Sequence, residues 1–338
     1  MRLPRGRRRA LLAALAGALL LAGVILLLGK AAGYAKLLDE LERADGWWLA
    51  VGLAGEAAAF AGYVLAFRGV ARFDGGPGLG LGAMTRVVFA SLGATRLFAT
   101  AGAGGLALDY WALRKAGVPR QESVVRVIAL NAVLYAVFGA GACVAAAALA
   151  LGAGSGAPVA MTVPWLVFIP SFFLAAAHAS APSRRELRAR EGGRLRRALA
   201  VAVAAVSLVR KLASRPAANA GTLAGAALYW AGDAVCLWAA LQAFGVEVSV
   251  AALVLAYATG YVAMLLPLPT GGVGGVDAAM TFALTAVGVG LAPALLGVFA
   301  YRLVSFWLPT VPGALAFATL PKLGRDLAAA RAPARLGR

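Results

Sequence analysis

Apolar residues occupy this chain in long blocks, and polar residues gather in short clusters between them. A helix that spans a bilayer needs about 20 mostly apolar residues. Ala10 to Gly29, Trp47 to Phe67, Val125 to Leu151, Val159 to Ala179, Thr222 to Phe244 and Leu291 to Leu320 read as such spans. Two further blocks, 79–118 and 251–288, are interrupted. The first contains Arg86, Arg96 and the glycines Gly102, Gly104 and Gly105; the second breaks at PLPTGGVGG, from Pro267 to Gly275. Each predicts a re-entrant helical hairpin, because irregular backbone is tolerated at membrane depth only where protein or a wet cavity shields it.

The charges set the expected topology. Arg2, Arg5 and Arg7 to Arg9 precede the first span, and Arg184 to Arg197 carries seven arginines. Basic clusters of this kind favour the cytoplasm. A signal peptide competes for the first block, but the apolar stretch is longer than a usual signal core and the chain stays apolar afterwards. Ala198 to Ser214 is short and flanked by cations, which predicts an interfacial helix. Both termini are expected to be cytoplasmic, in a multi-pass protein of the inner membrane.

Composition supports lipid as the solvent. Of 338 residues, 62% are hydrophobic and 14% are charged, with mean hydropathy +0.83. A soluble domain carries roughly a quarter charged residues. The net charge of +18 follows topology rather than any nucleic-acid surface, since no basic patch is paired with stacking aromatics. Cys143, Cys236 and the single histidine His178 offer neither a disulfide framework nor metal-ligand spacing. No GxSxG, HExxH or nucleotide-loop pattern is present, so neither cofactor nor catalysis is expected.

The two interrupted blocks resemble each other. Thr100 opens T-A-G-A-G-G and Thr270 opens T-G-G-V-G-G, and each leads to a Gly-Val pair, Gly117-Val118 and Gly288-Val289. In a chain with 42 glycines chance could produce this. The topology nevertheless reads as one plan used twice in opposite orientation, a recurring transporter architecture. The expectation is an all-α polytopic helical membrane protein, with about six full spans and two hairpins in an inverted-topology repeat. Residues 1–152 form the first membrane half, 153–321 the second with a basic linker at 182–215, and 322–338 a basic tail.

Ionisable groups inside spans are costly and mark sites by default. Here they are Glu56, Arg86, Arg96, Asp233, Asp277 and Arg302. They could be ion pairs that hold helices together, or they could line a polar path. Arg96 and Arg302 are the sharper candidates, because a guanidinium fork suits phosphate. Asp277 follows Gly274 and Gly275 and could cap the next helix or pair with Arg302 or Arg96. Gly271, Gly272, Gly274 and Gly275 could supply positive φ, close helix approach or open N–H groups.

The run LLPLPTGGVGGVDAAMTFALTAVGV, followed by ALLGVFAYRLVSFWLPTVPGALAF, resembles the lysylphosphatidylglycerol synthase transmembrane-region family, which includes the flippase part of the multiple peptide resistance factor. The matching positions are Pro267, Pro269, Gly271, Gly272, Gly274, Gly275, Asp277, Tyr301 and Arg302. In the first hairpin Arg96, Gly102, Gly104, Asp109 and Gly117 match. Asp277 stands where the family pattern has glutamate, and the acid–Arg pair expected near Asn131 is missing. The resemblance implies lipid handling, with Arg96, Arg302, Asp277 and Tyr301 at a headgroup site. Expected partners are membrane lipids, an anionic phospholipid or a polyprenyl-phosphate lipid, with a second copy of the chain a further candidate and no nucleic acid. Alternatives are an accessory subunit or enzyme of lipid-linked glycan synthesis, or a scaffold for a soluble partner.

Overall fold

The computed structural model describes residue 42 and residues 44–97, 103–152, 157–178, 194–265 and 274–329. The expected first span, 10–29, lies outside the described residues. So do Gly102, Pro267, Pro269, Gly271 and Gly272, and the side chain of Arg96.

Every element among the described residues is helical. In chain order they are α1 (Trp47–Arg72), α2 (Leu81–Leu97), α3 (Ala103–Lys115), α4 (Arg120–Ala150), α5 (Val159–His178) and α6 (Arg194–Ala213). The chain continues with α7 (Ala220–Gln242), α8 (Val250–Tyr261), α9 (Gly275–Ala286), α10 (Leu291–Arg302), α11 (Leu308–Ala318) and α12 (Leu320–Ala329). Among the described residues five segments are long and apolar enough to cross a membrane: Trp47–Gly75, Arg120–Ala150, Val159–His178, Ala220–Gln242 and Leu291–Phe317. Shorter helices lie in the two interrupted blocks, α2 with α3 and α8 with α9, and of these α2, α8 and α9 are apolar.

Local sequence sets several boundaries. Ser249 caps α8 by accepting the Ala252 N–H, as small hydroxyl residues do at helix starts. The last span is not continuous: a π-turn at Leu303–Trp307 separates α10 from α11. Pro309 follows it, and a proline cannot donate to the carbonyl four residues back, which favours such a local widening.

The central contact is between α1 and α7. It is antiparallel, with Gly55 against Gly232, Gly62 against Gly225 and Gly69 against Thr222. A Cβ built on Gly62 would lie 2.4 Å from the backbone N of Tyr229, so only glycine lets the helices approach this closely. Around this pair α2 packs on α11 and α8 packs on α4. The first limb of each interrupted block thus lies on the closing helices of the other half. The apolar core has two clusters, one around Phe67, Met84 and Leu130 and one around Leu237, Tyr257 and Met280. Both border Tyr229 and Val137.

Beside the bundle, α6 packs along α4 and buries Ala205 and Leu212. Its Arg210 donates to the Ala177 carbonyl at the end of α5.

Candidate functional site

A cavity of about 240 Å³ opens between the two halves. Glu56 on α1, Asp109 on α3, Asp233 on α7 and Arg302 at the end of α10 all reach it. Aromatic side chains supply much of the remaining wall: Tyr63, Tyr135, Tyr229, Trp230, Tyr261 and Phe306.

Arg302 is 7% exposed. Its Nε lies 2.6 Å from Asp277 Oδ1, and its guanidinium carbon sits 4.6 Å from the centre of the Phe306 ring. The ring face adds a cation–π contact. The Asp277 contact is an ion pair rather than an aligned hydrogen bond, because Oδ1 accepts from no donor among the described residues. The other oxygen, Oδ2, accepts the Gly274 N–H at 2.9 Å. Gly274 has φ 83°, a conformation that glycine adopts without a Cβ clash. Asp277 therefore closes the first turn of α9 and holds Arg302 at once. One guanidinium nitrogen, Nη2, is buried with no hydrogen-bond partner among the described residues.

Asp233 takes a different set of partners. Tyr257 and Tyr301 both donate to its Oδ2, Tyr301 at 3.0 Å. Glu56 lines the same cavity from α1. Asp109 accepts from Ser91 at 2.5 Å and from Tyr63 at 3.4 Å. Asp109, Asp233 and Asp277 are thus met by hydroxyl donors or by Arg302, as a carboxyl in a low-dielectric site requires.

The expected site residues separate into groups. Glu56, Asp233, Tyr301 and Arg302 meet at the cavity, and Asp277 stands behind Arg302. Arg86 does not join them. It pairs with Asp326 of α12 at 2.9 Å, with both side chains 40% exposed, and so belongs to an outer contact between α2 and α12. Gly105 lines the cavity beside Thr95, while Gly104 lies on a second, more open cavity bordered by Trp111, Lys115 and Arg325. Gly275 opens α9.

Sequence reasoning missed Ser91, Tyr63 and Tyr257 as acid partners. Asp109 appeared only through its family position, because its neighbours Arg114 and Lys115 make that stretch look like a helix end near the interface. Spacing gives part of the signal: Asp109 lies one turn from Gly105, on the cavity-facing side of α3.

Among the described residues no three His, Cys, Asp or Glu side chains form a group that could hold a metal ion.

Closely packed apolar helices around a buried polar cavity define a polytopic helical membrane protein. The chain belongs to the lysylphosphatidylglycerol synthase TM region family, whose model matches residues 12–313. No curated protein matches the sequence. Membership carries a lipid-related membrane function.

Proposed function

We propose that the protein binds and translocates a lipid with an anionic phosphate, in the manner of a flippase, and that it performs no covalent chemistry. The observation that carries this reading is Arg302: buried, lining a cavity built by both halves, and holding one N–H₂ group without a protein acceptor among the described residues. A guanidinium so placed can take a phosphate oxygen on Nη2 while Nε keeps Asp277. The aromatic wall suits the glycerol or prenyl portion next to the headgroup. Arg96, near the C-terminal end of α2 and close in sequence to the cavity residue Thr95, is the second proposed phosphate contact.

In this reading the partners are phospholipids or polyprenyl-phosphate lipids, no cofactor takes part, and self-association is not required. The protein sits in the inner membrane with both termini cytoplasmic, in keeping with the basic segments at the N-terminus, at 184–197 and in the tail. The two hairpins enter from opposite faces as an inverted repeat, which the exchanged packing of α2 on α11 and α8 on α4 supports.

The test is leaflet exchange of fluorescent phosphatidylglycerol and polyprenyl-phosphate analogues in proteoliposomes. Arg302→Ala should slow exchange about tenfold or more, since a charge-assisted hydrogen bond contributes roughly 1.5–3 kcal/mol. Arg302→Lys should retain part of it. Equal exchange by the native protein and Arg302→Ala across these lipids sinks the reading.

A further inference from the structure

A second space lies behind the helix that carries Asp109. On one face α3 sends Gly105 and Asp109 to the central cavity. Its other face, with Gly104, Ala107, Trp111 and Lys115, borders a groove of about 700 Å³. Across the groove stand Pro321, Gly324, Arg325 and Ala328 of α12, and Phe317 and Ala94 add wall from α11 and α2. The positions recur at three- and four-residue spacing, so each of the two helices presents one continuous stripe. Both stripes are small or apolar except at Lys115 and Arg325, and the small residues leave the room.

Gly324 brings the two cations to the same stretch of the groove. A Cβ built on it would lie 3.2 Å from the Trp111 ring and 3.9 Å from Lys115 Cε, and Arg325 is the next residue. Lys115 and Arg325 are both exposed, and among the described residues neither is held in an ion pair. Asp326, the acid beside Arg325, is already taken by Arg86 at 2.9 Å. Among the described residues no acid lines the groove. From Lys115 back to Gly104 the α3 stripe runs about 16 Å, at 1.5 Å per helical residue. One leaflet of a hydrocarbon core about 30 Å thick has roughly that depth. Trp111 stands beside the cations, as tryptophan does at headgroup level.

Two cations without protein partners, set beside an apolar trough of leaflet depth, match the chemistry of an anionic amphiphile. We propose that this groove is a second lipid site, separate from the central cavity, which holds an anionic glycerophospholipid of the surrounding bilayer. The phosphate lies between Lys115 and Arg325, whose apolar stems cover the groove wall while their charged ends meet the headgroup. One acyl chain follows the α3 stripe past Ala107 toward Gly104. Exposed basic residues near a membrane surface attract anionic lipid in general. The groove between α3 and α12 adds a shaped place for the chain, which a flat basic patch lacks. A free phosphate would satisfy the cations and leave the trough empty. The bound lipid bridges α3 and α12, and no covalent bond forms or breaks.

This site does not depend on the reading of Arg302, and the experiment keeps the two apart. Phosphatidylglycerol with a photoreactive diazirine on one acyl chain is added at trace level to the full-length protein in detergent micelles. Labelled peptides are then mapped, with phosphatidylcholine carrying the same chain as the comparison. Labels should fall on the groove faces of α3 and α12, about fivefold more from phosphatidylglycerol, the factor one basic residue contributes near an anionic surface. Lys115→Gln/Arg325→Gln, which alters two exposed side chains, should abolish that preference. Ala107→Trp fills the trough and should remove the groove labels from both lipids. Unlabelled dioctanoyl phosphatidylglycerol should compete, and glycerol phosphate should not. Equal labelling of the native groove by the two lipids overturns the proposal, as does a preference that survives the double substitution. Labels spread evenly over lipid-facing helices such as α5 overturn it too. Equal competition by glycerol phosphate reduces the groove to an anion patch and also overturns it. Labels confined to central-cavity residues such as Tyr135 and Trp230 overturn the second site and leave the Arg302 reading intact. The comparison of two lipids on the native protein holds even where a substitution prevents folding.

Discussion

Asp277 links a helix start to a cation. One oxygen accepts the Gly274 N–H at 2.9 Å, and the other lies 2.6 Å from Arg302 Nε. Removing one member of a buried ion pair strands the other, at a cost of about 3–5 kcal/mol. Asp277→Ala should therefore destabilise the protein by that order, with the lost cap adding about 1 kcal/mol. The double variant Asp277→Ala/Arg302→Ala should be less damaged than the sum of the two singles, because no charge is left stranded. Thermal melts of the four proteins in one detergent measure this. Strictly additive losses would show that the two side chains do not act as a pair.

Gly62 and Gly225 predict a steric result at the α1–α7 contact. A Cβ on Gly62 would lie 2.6 Å from the Gly225 carbonyl oxygen, and one on Gly225 would lie 2.7 Å from the backbone N of Ala66. Backbone atoms on a facing helix cannot move aside cheaply, so the helices must separate. Gly62→Val and Gly225→Val should each cost at least the 1–3 kcal/mol typical of overpacking, that is about 2 kcal/mol or more. Gly141 on α4 is the control, with nothing within 4 Å of its built Cβ. Gly141→Ala should be neutral or stabilising by up to about 1 kcal/mol. Melting temperatures that fall equally at Gly62 and Gly141 would remove packing as the reason for these glycines.

Much of the helical plan was legible in the sequence because apolar blocks of spanning length leave little choice to a chain in lipid. Trp47 to Phe67 and Thr222 to Phe244 name α1 and α7 within a few residues, although α1 runs on to Arg72. The cap from Asp277 to Gly274 was legible too, since its partners are three residues apart. What escaped was long-range: Tyr257 with Asp233 across 24 residues, Ser91 with Asp109 across 18, and the glycine register of α1 on α7. Periodicity shows that a helix has a small-residue face, but not which helix will meet it. The π-turn after Arg302 was hidden for another reason, because proline pairs such as Pro309 and Pro312 also fit an ordinary kink.

Arg86 and Arg126 show why an arginine near a helix end cannot be read from position alone. Arg126 falls in a basic cluster that reads as a topology signal, yet it is 2% exposed. Its Nη1 donates to the carbonyls of Val70 and Ala71, at 2.6 and 3.0 Å, where α1 leaves its last carbonyls without intrahelical donors. Glu122 balances the charge at 2.5 Å. Arg126→Ala should cost about 2–4 kcal/mol, through two unsatisfied carbonyls and a lost ion pair. Arg86, half-exposed against Asp326, should cost less than about 1 kcal/mol when replaced by alanine. Denaturation midpoints of the two variants test the contrast. A larger loss at Arg86 would mean that α12 contributes more to the fold than its exposed pair suggests.

Tyr301 and Tyr257 share one acceptor, Asp233 Oδ2. Replacing either with phenylalanine keeps the ring packing and removes one hydroxyl, so a single change leaves Asp233 with the other tyrosine. Each of Tyr257→Phe and Tyr301→Phe should cost about 1 kcal/mol, the net worth of an ordinary hydrogen bond. The double variant leaves a buried oxygen without its tyrosine donors and should cost more than the two singles combined, by about 1 kcal/mol or more. Thermal melts of the single and double variants in one detergent measure this. A double variant whose loss equals the sum of the singles would mean that Asp233 is satisfied from elsewhere, and that the tyrosines serve it only as packing.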